Sequence, residues 1–577
     1  MSEQIIKDRG VEALKTAAGW PGADRVTLVT LASVLAATGA DAEGSSYFEA
    51  LSARQPDQPL PLALAGYFGV RVGQDIPAAL AKLDDAAARD LGPAQYYRGL
   101  ALAGLPPESG HAAQAVADLE FVLVVRDQFP TPLLRAVYHG LAAVYAALGK
   151  DDLAAQAAAN SGLATAPPGA RFEFSGLWVN AADGLHFGAP RLIEPAPGIR
   201  VAQGYDLGDF AFLSTGDGVV AIDAGTAPHR VRAAMSDAGV QDSQVSHVIL
   251  THSHFDHAGG IGALLGPGTR VIAQAGFPAE LERQHANHVP FGYFTGRGAG
   301  FGRGGPESRP PIIQVSQLVS EPAPVTIGGT ELILYPATGG ETSDALMVYV
   351  PAHGVLFTGD VMMPYLGAPF FAEGSPEGML EALRFIINLG PRTLIHGHIL
   401  LTEVFTMETV TGLLPALSEL REQALAGLGA DLTLTALLDS NILPDVLREN
   451  PAAVGPYLAI RDHFVQRLHR QHTGYWQSDG QGLDPVAPAE RAAAFDLLAE
   501  GRPERFAEAA RALLAQRDHA LALEIATAGM ARHPGAGELA ELRQQALYHL
   551  MERHQFQDPF RFNVYAQLAG VELGPVA

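Results

Sequence analysis

The strongest structural signal in this sequence is the stretch VSHVILTHSHFDHAGG, residues 245–260. The apolar, β-branched run at its start predicts a strand that runs into the loop THSHFDHAGG. In an extended segment alternate side chains share a face, so we expect His252 and His254 to point together towards one metal ion. The turn that follows presents Asp256 and His257 to a second ion. The spacing therefore predicts two adjacent metal sites and not a chance cluster of histidines.

Short β-branched runs separated by Gly and Asp lie on both sides of this motif. FAFLSTGDGVVAID precedes it, and TRVIAQ, ELILYPA, ALMVYVP and GVLFTGD follow it; all have the composition of strands. APHRVRAAMSDAG and PEGMLEALRFIINLG have the periodicity of helices instead. The alternation predicts an α/β domain over residues 171–405.

Both flanks of this domain have helical periodicity. Residues 1–170 are rich in Ala and Leu, with apolar positions three and four apart and short Gly/Pro breaks. From Ala136, AVYHGLAAVYAALGKDDLAAQAAANSGL resembles a tetratricopeptide helix-turn-helix, although an ordinary helical bundle explains the pattern equally well. Residues 406–577 return to the Ala-rich pattern. We therefore expect all-α domains on both sides of the α/β domain.

Composition limits the possible functions. The chain has 577 residues, too many for a single core, and 48% of them are hydrophobic. Its 38 Lys and Arg against 62 Asp and Glu give a net charge of -24, which would repel a phosphate backbone, so we expect no nucleic-acid partner. Because there is no cysteine, any metal must be held by His and carboxylate side chains.

The chain start, MSEQIIKDRGVEALKTAAGW, lacks the basic-then-apolar layout of a signal peptide. No uncharged apolar run approaches the length of a transmembrane helix. We therefore expect a cytoplasmic protein that acts on a small-molecule substrate.

A second motif, VVAIDAGT, places Asp223 at the end of an apolar strand upstream of the histidines. Alone, an Asp at this position is a common turn former. A strand, an Asp and a nearby glycine followed by HxHxDH, however, resemble the opening of the metallo-β-lactamase fold. The resemblance implies an αββα sandwich in which Asp223 orients the metal-binding loop.

Later strand ends supply residues that resemble the remaining ligands of this family. Asp360 in GVLFTGD looks like the carboxylate that bridges the metals, and His398 in TLIHGHIL like the last ligand, with His396 as the alternative. Glu341 stands where most members place a His, which resembles the alkylsulfatase branch. The ligands implied are His252, His254, Asp256, His257, Glu341, Asp360 and His398.

The region downstream resembles the same branch. From His472, HTGYWQSDGQGLDPVAPAERAAAF is similar to the start of the alkylsulfatase dimerisation domain. The resemblance implies that residues 406–577 form a helical dimerisation domain and that the protein is a homodimer.

The residues expected to contact the substrate differ from those of the alkylsulfatase branch. Alkylsulfatases hold sulfate with an arginine shortly after the bridging carboxylate, whereas Glu373 stands here, and a carboxylate would repel sulfate. Arg297, Arg303 and Arg309 lie in the Gly-rich loop GYFTGRGAGFGRGGPESR, beside Tyr293. We expect Tyr293, Arg297 and Arg303 to bind substrate, unless this is an ordinary surface loop.

The chemistry implied is hydrolysis by water that two divalent metal ions activate, with Asp256 and Tyr293 as catalytic residues and Tyr293 as a proton donor. Zinc is expected, while the oxygen-rich ligand set also suits iron or manganese. The leading hypothesis is an alkyl sulfate ester as substrate. The alternatives are another ester, a lactone or an amide and, from a different class, a di-iron oxygenase or oxidase.

Overall fold

The structure is a computed structural model. The residues it describes are 2–73, 75–163, 166–167, 169, 171–175, 187–286, 312–337, 339–365, 374–440, 442–474, 483–555, 558–574 and 576.

Helices α1–α9 occupy the first part of the chain. Their bounds are Ser2–Ala18, Arg25–Ala37, Asp41–Arg54, Pro59–Val72, Ile76–Arg89, Pro93–Ala103, Ala112–Val124, Thr131–Ala147 and Asp151–Ser161. From α1 to α7, each helix packs against the next, and α8 packs against α7 and α9. Leu31, Phe68 and Leu119 are fully buried in the core that these helices share. The choice between a tetratricopeptide array and an ordinary bundle stays open.

The first sheet contains strands β1–β7, which are Arg191–Ala196, Ile199–Gln203, Phe210–Thr215, Gly218–Ile222, Val245–Ile249, Arg270–Gln274 and Gln317–Val319. The strands lie side by side in chain order. The pairings are antiparallel from β1 to β4 and parallel from β4 to β7. Helices α10 (Pro228–Ala238), α11 (Phe255–Ala258) and α12 (Phe277–Ala286) connect the parallel strands.

The second sheet contains β8–β12, which are Ala323–Ile327, Thr330–Ala337, Ala345–Val350, Val355–Gly359 and Thr393–His396. Its order is β12-β11-β10-β9-β8. The pairings are antiparallel except for β11 with β12, which run parallel. Helix α13 (Pro376–Leu389) joins those two strands, as a parallel crossover requires.

The two sheets pack face to face. Ile222 and Ile249 of the first sheet share a core with Leu346 and Phe357 of the second. The outer face of the first sheet is covered by α10–α12, and the outer face of the second by α13 and later helices. The layers are therefore helix, sheet, sheet and helix, as predicted for the α/β region.

Helices α14–α22 form the rest of the chain. Their bounds are Ile399–Val404, Met407–Gly429, Leu434–Asp439, Val454–Thr473, Pro488–Leu498, Pro503–Ala515, His519–Arg532, Gly537–His554 and Pro559–Ala569. The predicted flanking by helices on both sides is therefore confirmed. Among the described residues, no helix combines the length and apolarity needed to cross a membrane.

Segments that are far apart in the sequence meet at Arg135 of α8. Its fully buried guanidinium donates to the backbone carbonyls of Ser161, Ser175 and Gly574. In addition, Gly574 N–H donates to the Gly162 carbonyl over 2.7 Å. A buried cation needs such partners, so Gly574 completes the polar contacts around α8 and the end of α9.

Candidate metal centre

Most of the predicted ligands, together with Asp223, meet at one edge of the sandwich because they follow the carboxyl ends of parallel strands, whereas Glu341 follows the antiparallel strand β9. Asp223 follows β4, and His252 and His254 lie in the loop after β5. Asp360 follows β11, and His398 follows β12. Parallel neighbours end at the same edge of a sheet, so the chain brings distant residues together there.

Three groups of these side chains could each hold a metal ion. Within each group the potential ligand atoms lie within 4.8 Å of one another, and every member is buried. The groups are His252, His254 and Glu341; His252, His257 and Asp360; and Asp256, His257 and His398. Because His252 and His257 are each shared between groups, the structure places all seven predicted ligands in one continuous cluster.

Glu341 faces the first two histidines. Its Oε2 atom lies 3.4 Å from His252 Nε2 and 3.1 Å from His254 Nδ1. The predicted shared direction of the two histidines is thus present in the structure, and a carboxylate stands where most relatives are expected to have a third histidine.

The one-turn helix α11 presents Asp256 and His257 to the other side of the cluster. Asp360 Oδ2 lies 3.4 Å from His257 Nε2 and 2.9 Å from His398 Nε2. Asp256 Oδ2 lies 3.6 Å from both of those nitrogens. Asp360 also belongs to the group that contains His252, so it occupies the position of a shared carboxylate.

The residues present fit metal ions. His252 Nε2 and Asp360 Oδ1 are buried without a hydrogen-bond partner, although buried polar atoms almost always have one. Imidazole nitrogens and carboxylate oxygens without sulfur suit zinc, manganese or iron. The cluster could therefore hold divalent metal ions.

The pKa values in the cluster show that its buried carboxylates favour positive charge on the neighbouring histidines. Burial lowers the pKa of His398, but Asp360 and Asp256 outweigh it and raise the pKa to about 9. The pKa of His257 is likewise raised well above its usual value, because Asp360, Asp256 and Asp223 outweigh burial. Burial raises the pKa of Asp360, but His398 and His257 hold it well below the usual value. Protons on these histidines therefore balance the carboxylates when metal is absent.

Asp223 fixes the metal-binding loop. Its Oδ1 accepts from Thr251 N–H and its Oδ2 from the Thr251 hydroxyl, each over 2.7 Å. Oδ2 also accepts from His257 Nδ1 over 3.0 Å, which leaves His257 Nε2 to face Asp360. Such a carboxylate fixes the tautomer of a ligand histidine and increases its basicity.

We expect Asp223→Asn to weaken metal binding by about 10- to 100-fold, because Asn cannot accept at both oxygens from Thr251 and His257. The backbone should tolerate the change, since Asp223 has a φ of 61° and Asn adopts this left-handed conformation readily. Titration against a chromophoric chelator measures the affinity. Asp217→Asn, at the opposite end of β4, is the matched control. Equal affinity of the two variants would contradict the role of Asp223.

His398 and His396 differ in what their rings contact. His398 Nδ1 donates to the Leu207 carbonyl over 2.8 Å, so its Nε2 faces the carboxylates. His396 instead uses Nδ1 on the Thr358 hydroxyl at 2.7 Å and Nε2 on the Phe405 carbonyl at 2.9 Å. Both ring nitrogens of His396 are therefore engaged, and burial lowers its pKa to about 4. The geometry favours His398 as the ligand.

Two supporting groups were not foreseen from the sequence. The hydroxyl of Thr251, which bonds Asp223, also lies 3.0 Å from His252 Nδ1. The Leu207 carbonyl orients His398. Thr251 could have been suggested from the sequence, because it is a polar residue directly before the first histidine. The role of the Leu207 carbonyl could not, because every residue has a backbone carbonyl. The predicted substrate contacts Tyr293, Arg297 and Arg303 lie outside the described residues, as do Arg309 and Glu373.

A cavity of about 810 Å³ reaches the cluster at His398. Near this histidine it is lined by Phe187, Met363, Leu400 and Leu401. The Phe187 ring lies edge-on to the His398 ring, with 5.5 Å between centroids. Helices α1 and α2 also contribute apolar side chains to the wall. His398 is therefore the candidate ligand that borders a large, mainly apolar cavity between the helices and the sandwich.

Comparison with known proteins gives the family of the central region. Residues 206–398 match the Metallo-beta-lactamase superfamily. A linear primary-alkylsulfatase from Pseudomonas sp. (strain ATCC 19151) is 22% identical over 316 residues, which are 50% of this chain and 60% of that protein. A hydroxyacylglutathione hydrolase from Bartonella henselae is 35% identical over 95 residues, 16% of this chain and 37% of that protein.

Among solved structures, a stereoselective inverting sec-alkylsulfatase from Pseudomonas sp. superposes with a TM-score of 0.54 at 18% identity, and the match covers 66% of each chain. At this identity the likeness establishes the fold. The chain spans less than two thirds of the length of each of these three relatives.

Proposed function

We propose that this metallo-β-lactamase-fold, alkylsulfatase-like protein hydrolyses alkyl sulfate esters at a centre of two divalent metal ions. The chain is an enzyme of the metallo-β-lactamase hydrolase superfamily. The observation that carries the proposal is the buried cluster in which the group of His252, His257 and Asp360 shares one histidine with each of the other two potential ligand groups. Glu341 beside His252 and His254 supports the alkylsulfatase branch.

The candidate ligands divide into two sets, each of which would hold one metal ion. His252, His254 and Glu341 would hold one ion, and Asp256, His257 and His398 the other, with Asp360 between them. When bound, the ions supply Lewis acidity and lower the pKa of water. Asp223 keeps His257 oriented, and the Leu207 carbonyl keeps His398 oriented, so the ligand atoms are positioned before substrate arrives.

The cavity supports an alkyl group on the substrate. Burial of an alkyl chain against Phe187, Met363 and Leu401 would contribute roughly 0.8 kcal/mol per methylene. A short alkyl ester would forgo this contribution. We therefore expect medium-chain sulfates to be better substrates than short ones.

The experiment is sulfate release from decyl sulfate by protein loaded with zinc or manganese. Release of one sulfate per decanol, with a lower KM than for butyl sulfate, is the expected result. No release with either metal would refute the sulfatase proposal. Bound iron together with an oxygen-dependent reaction would instead indicate the oxygenase alternative.

A second candidate is hydrolysis of another ester or a lactone. Glu373 stands where an arginine would hold sulfate. Two other arginines are engaged away from the metals, since Arg191 pairs with Glu403 at 3.0 Å and Arg230 with Asp206 at 3.5 Å. Turnover of decanoyl esters or lactones without turnover of decyl sulfate would favour this candidate.

We expect metal binding to release protons. His257 and His398 have pKa values raised above the usual range, whereas a metal ion requires neutral imidazole. About two protons per protein should be released at pH 7.5, and affinity should rise with pH up to about 9, the pKa of His398. Calorimetric titration in buffers of different ionisation enthalpy measures this release. His398→Asn should reduce it, and an unchanged value would contradict the assignment.

The same pKa has a consequence for the metal-free protein. The pKa of His398 is higher in the folded state than the usual 6.5, so the charged pair with Asp360 stabilises the fold fully below pH 6.5. This contribution is lost as the pH rises through about 9.

The homodimer also stays a proposal. Leu497 and Leu498 near the end of α18 are 82% and 77% exposed, which a dimer contact would remove from water. Sedimentation velocity would measure the state of association.

A further inference from the structure

The loop between β2 and β3, residues 204–209, is buried along its whole length. Loops usually lie on the protein surface, because buried backbone N–H and carbonyl groups need hydrogen-bond partners. Some partners of this loop lie in the segment that carries His398. The Leu207 carbonyl accepts from His398 Nδ1 over 2.8 Å, and Asp209 N–H donates to the Gly397 carbonyl over 2.6 Å. The β2–β3 loop therefore packs directly against one candidate ligand.

The same loop packs against the two candidate ligands of helix α11. Gly208 has no side chain, and a Cβ atom there would collide with the Asp256 carbonyl oxygen. It would also lie 3.2 Å from His257 Cε1. Glycine permits this close approach of the two backbones. The β2–β3 loop thus contacts Asp256, His257 and His398, which together form one of the two sets of candidate ligands.

The other set of candidate ligands is supported by a different part of the protein. Gln284 of α12 donates to the Ser253 hydroxyl over 2.7 Å, and both side chains are buried. Ser253 lies between His252 and His254 in the chain, so this contact supports the loop that carries both histidines. A change in the β2–β3 loop should therefore act mainly on the ligand set that contains His398.

The side chain of Asp209 holds the end of the loop that contacts Gly397. Its Oδ2 atom accepts from Gln203 Nε2 over 3.2 Å. Gln203 Oε1 in turn accepts from Arg191 Nε over 3.1 Å, and Arg191 donates to Glu403 Oε1 over 3.0 Å. Arg191 and Gln203 are paired on the neighbouring strands β1 and β2, so their side chains lie on the same face. A continuous hydrogen-bonded chain therefore runs from the loop through Gln203 to Glu403.

Gln203 suits this position because its amide can donate at one end and accept at the other. The Gln203 residue is 1% exposed and Asp209 is 4% exposed, so water has little access to their hydrogen bond. A hydrocarbon side chain at position 203 would deprive the buried Asp209 carboxylate of a donor. A carboxylate there would still accept from Arg191, but it would repel Asp209.

We propose that Gln203 and Asp209 are positioning residues for the metal centre. Their hydrogen bond holds the β2–β3 loop against the ligand set that contains His398, and so determines the affinity of that set for its metal ion. Neither residue is a candidate ligand. This role rests on the proposed function for the presence of two ions, and it is independent of which ester is the substrate.

The test is calorimetric titration of the metal-free, full-length protein with zinc. Wild type should bind two equivalents. Gln203→Glu should weaken the binding of one equivalent by about tenfold or more, the usual effect of losing a residue that supports a metal ligand, and the other equivalent should bind as in wild type. In a His398→Ala background, which damages the same ligand set, Gln203→Glu should have no further effect on metal binding.

The reverse arrangement of donor and acceptor should restore the affinity. In the double variant Gln203→Glu with Asp209→Asn, the Asn amide can donate to the new carboxylate, which still accepts from Arg191. The affinity for both equivalents should then return close to that of the wild type. Asp209→Asn alone should have little effect, because Asn keeps an oxygen that accepts from Gln203.

Gln555→Glu is the matched control, because Gln555 is also buried and uses both ends of its amide. Its Oε1 atom accepts from Phe174 N–H over 3.3 Å, and its Nε2 atom donates to the Arg171 carbonyl. These contacts involve none of the candidate ligands. This variant should therefore bind both equivalents as the wild type does.

Unchanged affinities in Gln203→Glu, or equal weakening of both equivalents, would overturn the proposal. So would a double variant that binds metal no better than Gln203→Glu. If Gln203→Glu fails to fold, Gln203→Leu decides the matter, since it adds no buried charge and should still weaken one equivalent by about tenfold. Failure of the wild type to release sulfate would refute the proposed substrate, while the titration would still decide the role of Gln203.

Discussion

Asp360→Asn is expected to lower kcat/KM by about 10³-fold or more and to reduce the bound metal from two equivalents towards one. The Asp360 carboxylate lies within 3.4 Å of both His257 and His398, and it also belongs to a potential ligand group with His252. A single substitution would therefore affect both sets of candidate ligands. A pair of bound metal ions contributes several kcal/mol to the stabilisation of the transition state, and each ~1.4 kcal/mol corresponds to about tenfold in rate. Elemental analysis and kinetics measure the two effects.

The control for this experiment is Asp237→Asn, which removes a carboxylate that accepts from the Tyr205 hydroxyl on the outer helix layer. It should retain two metal equivalents and its activity. Full metal content in Asp360→Asn, or the same loss in both variants, would show that Asp360 is not needed to hold the ions.

Gly397→Ala should lower activity by about 100-fold although it substitutes none of the candidate ligand residues. A Cβ atom at this position would lie 2.1 Å from Asp360 Oδ1 and 2.6 Å from His257 Cε1. The Gly397 backbone cannot easily move away from Asp360, because it is held by two hydrogen bonds. Its N–H donates to the Gly359 carbonyl, and its carbonyl accepts from Asp209 N–H. Displacement of reacting groups by about 1 Å can cost roughly 10²-fold in rate.

Gly262→Ala is the matched control, since its added Cβ would meet only Pro228 Cγ, at 3.9 Å. This variant should keep wild-type kinetics and metal content. Gly397→Ala should also lower the melting temperature, because overpacking costs about 1–3 kcal/mol. Wild-type activity in Gly397→Ala would mean that Asp360 and His257 can shift without effect on the reaction.

The sequence predicted the fold class because its strong signals are local. The β-branched run at β5 and the adjoining histidines share one continuous stretch, and alternation along an extended chain was enough to direct His252 and His254 to the same side. The helical flanks were equally visible from periodicity. No local rule links β5 to β11 or β12, so Glu341, Asp360 and His398 required the resemblance to a family.

The choice between His396 and His398 shows the limit of such reasoning. Both follow the same strand pattern, and alternation places both on one face. The Thr358 hydroxyl and the Phe405 carbonyl, which engage both nitrogens of His396, come from separate parts of the chain. Residue types and spacing carry no information about these tertiary contacts. The ligand assignments themselves stay predictions until metal is measured.

The contacts of Arg135 have a consequence for synthesis on the ribosome. This side chain belongs to α8, yet one of its partners is the carbonyl of Gly574. The nascent helices around α8 therefore emerge with a buried cation whose partners are incomplete until Gly574 has been translated. We expect these helices to reach full stability only after Gly574 has packed against them, since contacts of such long sequence separation form late.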